Sequence, residues 1–427
     1  MKILHISTND NIGGAARATY RIHQALLANG IESSMRVINK STSDKSISNW
    51  YSKTFFKTIE YERYRRWLIK IKKKWQHQNK EMHSFGKYSI HIVDEINNSD
   101  ADIVHLHWIS EMLSIKDIGR IKKPIVWTMH DMWPFCGAEH YAPDDENARF
   151  IKGYFNENRP SSESGLDLNR ITWLAKSKYW DTKHFYIVST SNWLHSCAKN
   201  SKLFRSSKHF LIPNPLESII LWKPILKKVA RTALGLPQDS YLILMGAEGG
   251  TINLRKGADL MLESIKHLEK ISDLNTELIV FGQSNPEKQD QWNNKVHWLG
   301  SVNDDRILAL AYSAADVMIV PSRQEAFGQT GTESLACGTP VVAFDIGGLS
   351  DIVIHKENGW LAKPFDIQDM ADGIKWILED PKRHEKISEN ARNSVLKRYN
   401  PENIALQYKQ VYEEVLNSNL KIDSIYK

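Results

Sequence analysis

The sequence predicts an α/β protein of two Rossmann-like, doubly wound domains that face a central cleft. Three observations predict it. Short β-branched apolar runs alternate with helical patterns along the chain. The runs fall into two sets separated by the proline-punctuated turn Ile212-Pro213-Asn214-Pro215. A chain of 427 residues is also too long for one ordinary core. A hydrophobic content of 41% with 25% charged residues excludes disordered and fibrous classes.

The first set of expected strands is Lys2 to Ser7, Glu32 to Ile38, Asp102 to His107, Pro124 to Met129 and Phe185 to Ser189. A helix follows the first strand, with Ala18, Ile22, Ala25 and Leu26 on one face and Gly30 ending it. The second set is Tyr241 to Met245, Glu277 to Phe281, Lys295 to Leu299, Asp316 to Val320 and Pro340 to Phe344. The expected domains are therefore 1–215 and 216–398, followed by a helical segment, 399–427.

Two segments break the alternation. Residues 136 to about 180 are polar, aromatic and weakly periodic, and predict a long functional or mobile loop. Residues 55–80 predict a basic amphipathic helix: Tyr64, Trp67, Leu68, Ile71 and Trp75 keep helical spacing among Arg63, Arg65, Arg66, Lys70, Lys72, Lys73 and Lys74. Its apolar residues suit a lipid headgroup boundary and its cations an anionic membrane surface. The same pattern also fits a helix packed on a sheet with solvated lysines.

Charge divides the chain in the same place. Residues 1–215 hold 32 Lys and Arg against 21 Asp and Glu, a balance of +11, and the remainder holds 24 against 29, a balance of −5. The basic half points to an anionic partner, a membrane or a phosphorylated acceptor. Nucleic acid is not expected, because no recognition motif accompanies the basic helix and the other half is acidic. The start, Met1 to Ser7, is short of a signal-peptide core, and no apolar run is long enough to cross a bilayer. Cys136, Cys197 and Cys337 lack metal-ligand spacing, and a cytoplasmic protein, peripheral at the inner membrane face, is expected.

The block from Asp316 to Pro340 carries the strongest chemical signal. A buried strand ends at Val320, a loop presents Glu325 beside Phe327-Gly328, and a helix starts near Thr330. Ligands of doubly wound sheets lie at strand carboxyl ends, where helix amino termini receive phosphate. Glu325, Gly328, Gln329, Thr330 and Glu333 are thus candidate ligand contacts. The blander reading makes Thr330-x-x-Glu333 a capping box that only starts the helix. Arg255 and Lys256, after the Tyr241 strand and the turn Gly246-Ala-Glu-Gly-Gly250, are candidate phosphate contacts. Gly13 and Gly14 follow the first strand and would let backbone approach phosphate, although the G-x-G-x-x-G fingerprint is absent. His130, followed by Asp131, ends a strand.

At the Glu325 to Glu333 block the sequence resembles the retaining glycosyltransferases of family 4, which have the two-domain GT-B fold. The E-x7-E spacing and the continuation Ala336-Cys-Gly-Thr-Pro-Val-Val-Ala-Phe with Gly347-Gly348 match. The resemblance extends to Gly13-Gly14-Ala-Ala-Arg17, Trp127-Thr-Met-His130-Asp131, Ser191-Asn-Trp-Leu-His195, Ile212 to Pro215 and Arg255-Lys256-Gly257. It implies that Glu325 contacts the donor sugar, Glu333 the nucleotide ribose, and Lys256 and Arg255 the diphosphate, with His130 beside the transferred sugar, and that the helical segment 399–427 crosses back to the first domain. A nucleotide diphosphate sugar, GDP- or UDP-linked, is the implied donor.

The phrases Val126 to Phe135 and Glu325 to Thr330 resemble enzymes of bacterial surface polysaccharide assembly, of the colanic acid, O-antigen, lipopolysaccharide or capsule kind. They imply a lipid-linked oligosaccharide acceptor. No cofactor and no metal are expected, since the one Asp-x-Asp, Asp100-Ala-Asp102, precedes a strand. Two other readings remain: a sugar-nucleotide epimerase or phosphorylase of the same architecture, and a membrane-docked scaffold without activity.

Overall fold

The computed structural model describes residues 1–50, 55–246, 249, 252–284 and 295–425, and only the backbone of 55–58 and 419–425. Two compact units divide the chain, Met1–Pro213 with Glu402–Lys427, and Asn214–Pro401. Both carry parallel sheets of the kind predicted.

The first sheet contains β1 (Lys2–Ile6), β2 (Glu32–Val37), β3 (Ile47–Asn49), β4 (Ile103–Leu106), β5 (Ile125–Met129), β6 (Phe185–Ser189) and β7 (Lys208–Leu211). Their order is β3-β2-β1-β4-β5-β6-β7, with every pair parallel. The order reverses between β1 and β4, so their carboxyl ends flank a switch point. Helix α1 (Gly14–Ala28) leaves β1 there and ends at Asn29, with Gly30 just beyond at φ 72°. The short strands β3 and β7 escaped prediction because polar residues interrupt them.

The C-terminal helix Pro401–Ile425 belongs to this unit. Ile404, Tyr408, Val411, Tyr412 and Val415 recur at helical spacing and pack with Ile3, Ile103, Val126 and Val188 of the sheet. The same face satisfies buried polar groups. His105 of β4 meets Tyr412 Oη at 2.8 Å through Nδ1 and Thr128 Oγ1 at 2.8 Å through Nε2, while Tyr408 Oη lies 3.0 Å from that threonine oxygen.

Two segments differ from expectation. Helix α2 (Phe55–Lys72) ends before Trp75, which instead pairs Ser164–Gly165 in a two-residue antiparallel ribbon and is buried. Trp67, Leu68 and Ile71 pack on Trp75, Phe85, Ala138 and Leu168, so the apolar side of this segment lines a small core rather than a lipid boundary. The arginines and lysines at 63, 65, 66, 70, 72, 73 and 74 remain exposed. The stretch expected to be one long loop contains the short helix Arg149–Lys152 and α3 (Leu168–Trp180). Its buried face includes Lys176, which concealed the periodicity. That ammonium donates to the carbonyls of Trp133, Cys136 (3.0 Å) and Gly137 (2.8 Å), and burial lowers its pKa to about 7.

The second sheet contains β8 (Tyr241–Gly246), β9 (Thr276–Phe281), β10 (Val296–Gly300), β11 (Val317–Val320), β12 (Val341–Phe344) and β13 (Gly359–Ala362). Its parallel order, β10-β9-β8-β11-β12-β13, repeats the reversal, here between β8 and β11. Helix α4 (Ala258–Ile271) buries Met261, Ile265 and Leu268 on one face. Helix α5 (Gln329–Ala336) buries Leu335 and Ala336 against the other. Among the described residues, no helix is long and apolar enough to cross a membrane.

Two predictions follow from the histidine-bearing core of the first unit. Burial depresses the pKa of His5, His105 and His107 well below 6.5, and that of His23 to about 4. The unfolded chain therefore binds protons that the folded chain refuses, so stability is complete above about pH 6.5 and declines as pH falls toward about 4. Thermal melts from pH 7.5 to 4.5 should show a falling midpoint while most carboxylates stay ionised; a flat midpoint would refute this account. Tyr412→Phe leaves the buried Nδ1 of His105 unpaired and should cost about 1–3 kcal/mol in denaturant unfolding.

Candidate active site

The loops that leave β8 and β11 are laced together at the switch point of the second sheet. Leu254–Lys256 forms a single 3₁₀ turn, started by the Asn253 side chain accepting from the Arg255 amide. Gly257 then passes into α4 at φ 70°. A Cβ there would stand 1.9 Å from the Pro321 carbonyl oxygen, so glycine is needed for the two loops to touch. The Arg323 amide donates to the Arg255 carbonyl at 2.7 Å, and the Arg255 guanidinium donates to the Gln324 carbonyl at 3.0 Å. Arg323 also forks onto both carboxylate oxygens of Asp259 at 2.8 and 2.6 Å.

This lacing brings Lys256 and Glu325 together. Lys256 Nζ lies 2.6 Å from Glu325 Oε2, Arg255 lies 3.9 Å from the same oxygen, and the glutamate side chain is only 13% exposed. Burial alone would raise the Glu325 pKa, but the charges of Lys256 and Arg255 overcome it and hold the pKa below 4.5. The glutamate is an anion throughout the neutral range. Its backbone is also fixed: the Gly348 amide donates to the Glu325 carbonyl at 2.8 Å. A Cβ on Gly347 would approach that carbonyl oxygen to 2.4 Å.

Gly328, at φ 95°, precedes α5, and no side chain caps this helix. The Thr330-x-x-Glu333 capping box is therefore absent: the helix starts at Gln329, so Thr330 already lies within its first turn. Glu333 is buried and accepts from Tyr312 Oη at 2.8 Å and from Gln329 Nε2 at 3.4 Å. Tyr312 was invisible to motif reasoning, because a helix 21 residues earlier supplies it. Of the turn after β8, residues 247, 248 and 250 lie outside the described residues.

The remaining candidates belong to the first unit. Gly13, at φ 90°, precedes α1 where that helix leaves β1, and a Cβ on Gly14 would meet nothing within 4 Å. His130 follows β5 and is partly exposed. Its Nε2 lies 3.1 Å from His107 Nδ1, and His107 Nε2 lies 2.9 Å from His5 Nδ1. Burial lowers the His130 pKa to about 4, against a smaller upward pull from Asp131. Asp131 itself fixes the turn, accepting from His140 at 2.6 Å, Trp108 Nε1 at 3.1 Å and the Trp133 amide at 2.9 Å. Neither His5 nor His107 was singled out from sequence. The available signal was His105-Leu106-His107, whose period of two places both rings on one face of a strand. Asp100 and Asp102, the Asp-x-Asp pair, bond to Lys2 at 2.8 and 2.7 Å.

Comparison with known proteins finds similarity to glycosyltransferases. The chain is 32% identical over 191 residues to an uncharacterized glycosyltransferase of Methanocaldococcus jannaschii, covering 43% of this chain and 47% of that one. It is 36% identical over 177 residues to the D-inositol 3-phosphate glycosyltransferase of Xylanimonas cellulosilytica, covering 38% and 41%. The chain thus spans about half the length, or less, of these curated relatives. The solved structure of Anabaena HepE in complex with UDP and glucose superposes with a TM-score of 0.65 at 16% identity, over 97% of this chain and 99% of that one. The fold is GT-B, and residues 227–394, which hold the Lys256–Glu325 pair and Glu333, match the model of the family described as glycosyl transferases group 1.

Proposed function

We propose that this chain is a retaining, metal-independent glycosyltransferase that moves a sugar from a GDP- or UDP-sugar to a lipid-linked oligosaccharide in bacterial surface polysaccharide assembly. One observation carries the reading: a partly buried, mutually neutralising Lys256–Glu325 pair at a strand switch point, beside the amino terminus of α5. Departure of a nucleotide diphosphate builds negative charge on phosphate oxygen. Fixed cations in a dry site stabilise that charge without reorganising when it appears. Lys256 and Arg255 take this role, and the amides at Gly328, Gln329 and Thr330 add donors at the positive end of a helix.

Glu325 orients Lys256 and accepts hydroxyls of the transferred sugar. Glu333, held by Tyr312, accepts the ribose hydroxyls. Gly13 and Gly14 leave room for phosphate at the first switch point, and His130 lies beside the sugar. The bond from the anomeric carbon to phosphate breaks as the acceptor oxygen bonds to the same face of that carbon. The acceptor proton passes to the departing phosphate oxygen, so no protein nucleophile is required. The UDP and glucose bound by the Anabaena protein support a nucleotide sugar as donor. The surface polysaccharide assignment rests on the motif resemblance. With the apolar side of α2 packed inward, its exposed cations would meet an anionic membrane through charge alone, contributing about 1 kcal/mol for each residue engaged.

Three outcomes test this reading. Glu325→Gln should keep its fold by circular dichroism and lose transfer by about 100-fold, in the range for a preorganised electrostatic group; near-normal turnover would overturn the assignment. Product NMR should show the donor's anomeric configuration, and an inverted linkage would exclude retention. Sedimentation with vesicles should show binding to anionic but not neutral lipid, and that binding should be lost at high salt.

A further inference from the structure

We propose that His5 and His107 form a buried relay that fixes the tautomer of His130, so that His130 meets its substrate as a hydrogen-bond donor through Nδ1. The substrate part of this statement rests on the proposed function; the tautomer part rests on geometry alone.

The three rings form an unbranched chain. His5 Nδ1 meets His107 Nε2 at 2.9 Å, His107 Nδ1 meets His130 Nε2 at 3.1 Å, and successive ring centroids stand 5.1 and 5.4 Å apart. Burial keeps all three rings neutral at pH 7, reinforced by neighbouring imidazoles at His5 and His107 and opposed by the smaller pull of Asp131 at His130. The surrounding groups leave that state intact. His105 is bonded to Tyr412 and Thr128, and His23 to Ser33 and Ser46. Asp131 is engaged by His140, and Asp44, whose charge reaches His23, is bonded to Ser46 and Gln24.

A proton inventory then decides the direction. Three neutral imidazoles hold three N–H groups and three ring lone pairs. Each of the two contacts consumes one of each, so the chain runs head to tail. One N–H remains at one end and one lone pair at the other. His5 Nε2 is buried and has no hydrogen-bond partner among the described residues. A buried donor without an acceptor is rarer and costlier than an acceptor with a spare lone pair. The lone pair therefore sits at His5 Nε2. His5 Nδ1 donates to His107, His107 Nδ1 donates to His130, and the remaining N–H is on His130 Nδ1.

That nitrogen makes no hydrogen bond among the described residues, on a ring that is partly exposed. In this state His130 donates to an oxygen lone pair, such as that of a sugar hydroxyl or a phosphate. It cannot accept a proton at Nδ1 unless protons shift along all three rings. His5 and His107 are positioning residues in this scheme.

The rings of His5, His105 and His107 also lie close enough to share a metal ion. Five of their six nitrogens are already hydrogen bonded, and among the described residues only His5 Nε2 has no partner, which favours the relay.

Long-range proton–nitrogen NMR on the ¹⁵N-histidine-labelled full chain at pH 7.5 tests the tautomer directly. The wild-type His130 should show a protonated Nδ1 and a bare Nε2. His107→Glu replaces the donor by a carboxylate acceptor and should move the proton to Nε2. His107→Asn keeps an amide donor at nearly the same place and should keep the wild-type pattern. A protonated Nε2 in the wild type, or an unchanged pattern in folded His107→Glu, overturns the relay, as does a zinc-dependent shift of the His5 and His105 signals. If His107→Glu fails to fold, His5→Glu serves the same purpose, because it offers an acceptor to His107 Nε2, reverses the chain and should move the His130 proton to Nε2.

Transfer assays separate the two parts. Transfer should fall about tenfold in His107→Glu and stay near wild type in His107→Asn. A shifted tautomer with full activity keeps the relay and overturns only the contact between His130 and substrate.

Discussion

A parallel sheet whose strand order reverses about its first strand must open a crevice at the carboxyl ends on either side of the reversal, because successive connections leave in opposite directions. Both units obey this constraint. In the second, the loops from β8 and β11 have nowhere to go but across the crevice and against each other, and Gly257 and Gly347 remove the Cβ atoms that would hold them apart. In the first, α1 leaves β1 at one side of the crevice, while the turns after β4 and β5 place His107 and His130 at the other.

The Lys256–Glu325 pair shows what such packing does to charge. A carboxylate removed from water loses hydration worth several kcal/mol, and an isolated one would take up a proton instead. Here Lys256 at 2.6 Å and Arg255 at 3.9 Å reverse that tendency. The pair is weak evidence for stability, since two well-packed apolar side chains would serve folding as well. It is better understood as a cation whose position is fixed by its partner. In the proposed reaction, a second anion, the departing phosphate, finds that cation already oriented.

The histidine column of the first unit follows the opposite principle. Its rings are excluded from water and denied a carboxylate partner, so they remain neutral and spend their polarity on one another, on tyrosine and threonine hydroxyls from the C-terminal helix and β5, and on serines. The C-terminal helix is thus more than a cover for the sheet. Without Tyr412 and Tyr408, the buried polar face of β4 and β5 would be left unsatisfied.

The sequence by itself determined the elements whose residues speak locally. Ten strands were legible because both faces of a parallel strand are buried, which gives continuous β-branched runs such as Phe185–Ser189 and Val341–Phe344. Glu325, Gly328 and Glu333 were legible as a motif at a strand end. Elements fixed by distant partners were not. Strand β3 exists because β2 offers it an edge, Trp75 is a strand residue because Gly165 pairs with it, and α3 conceals its period because Lys176 is satisfied by carbonyls about 40 residues away. Only the tertiary structure decided that Glu333 bonds Tyr312 instead of capping α5, that the aromatic side of α2 faces a core, and that three histidines from β1 and the ends of β4 and β5 stand within hydrogen-bond distance in a row. The physical reason is the same in each case. Hydrogen bonds and burial act through space, and the chain separations they bridge leave no mark on the residues next to them.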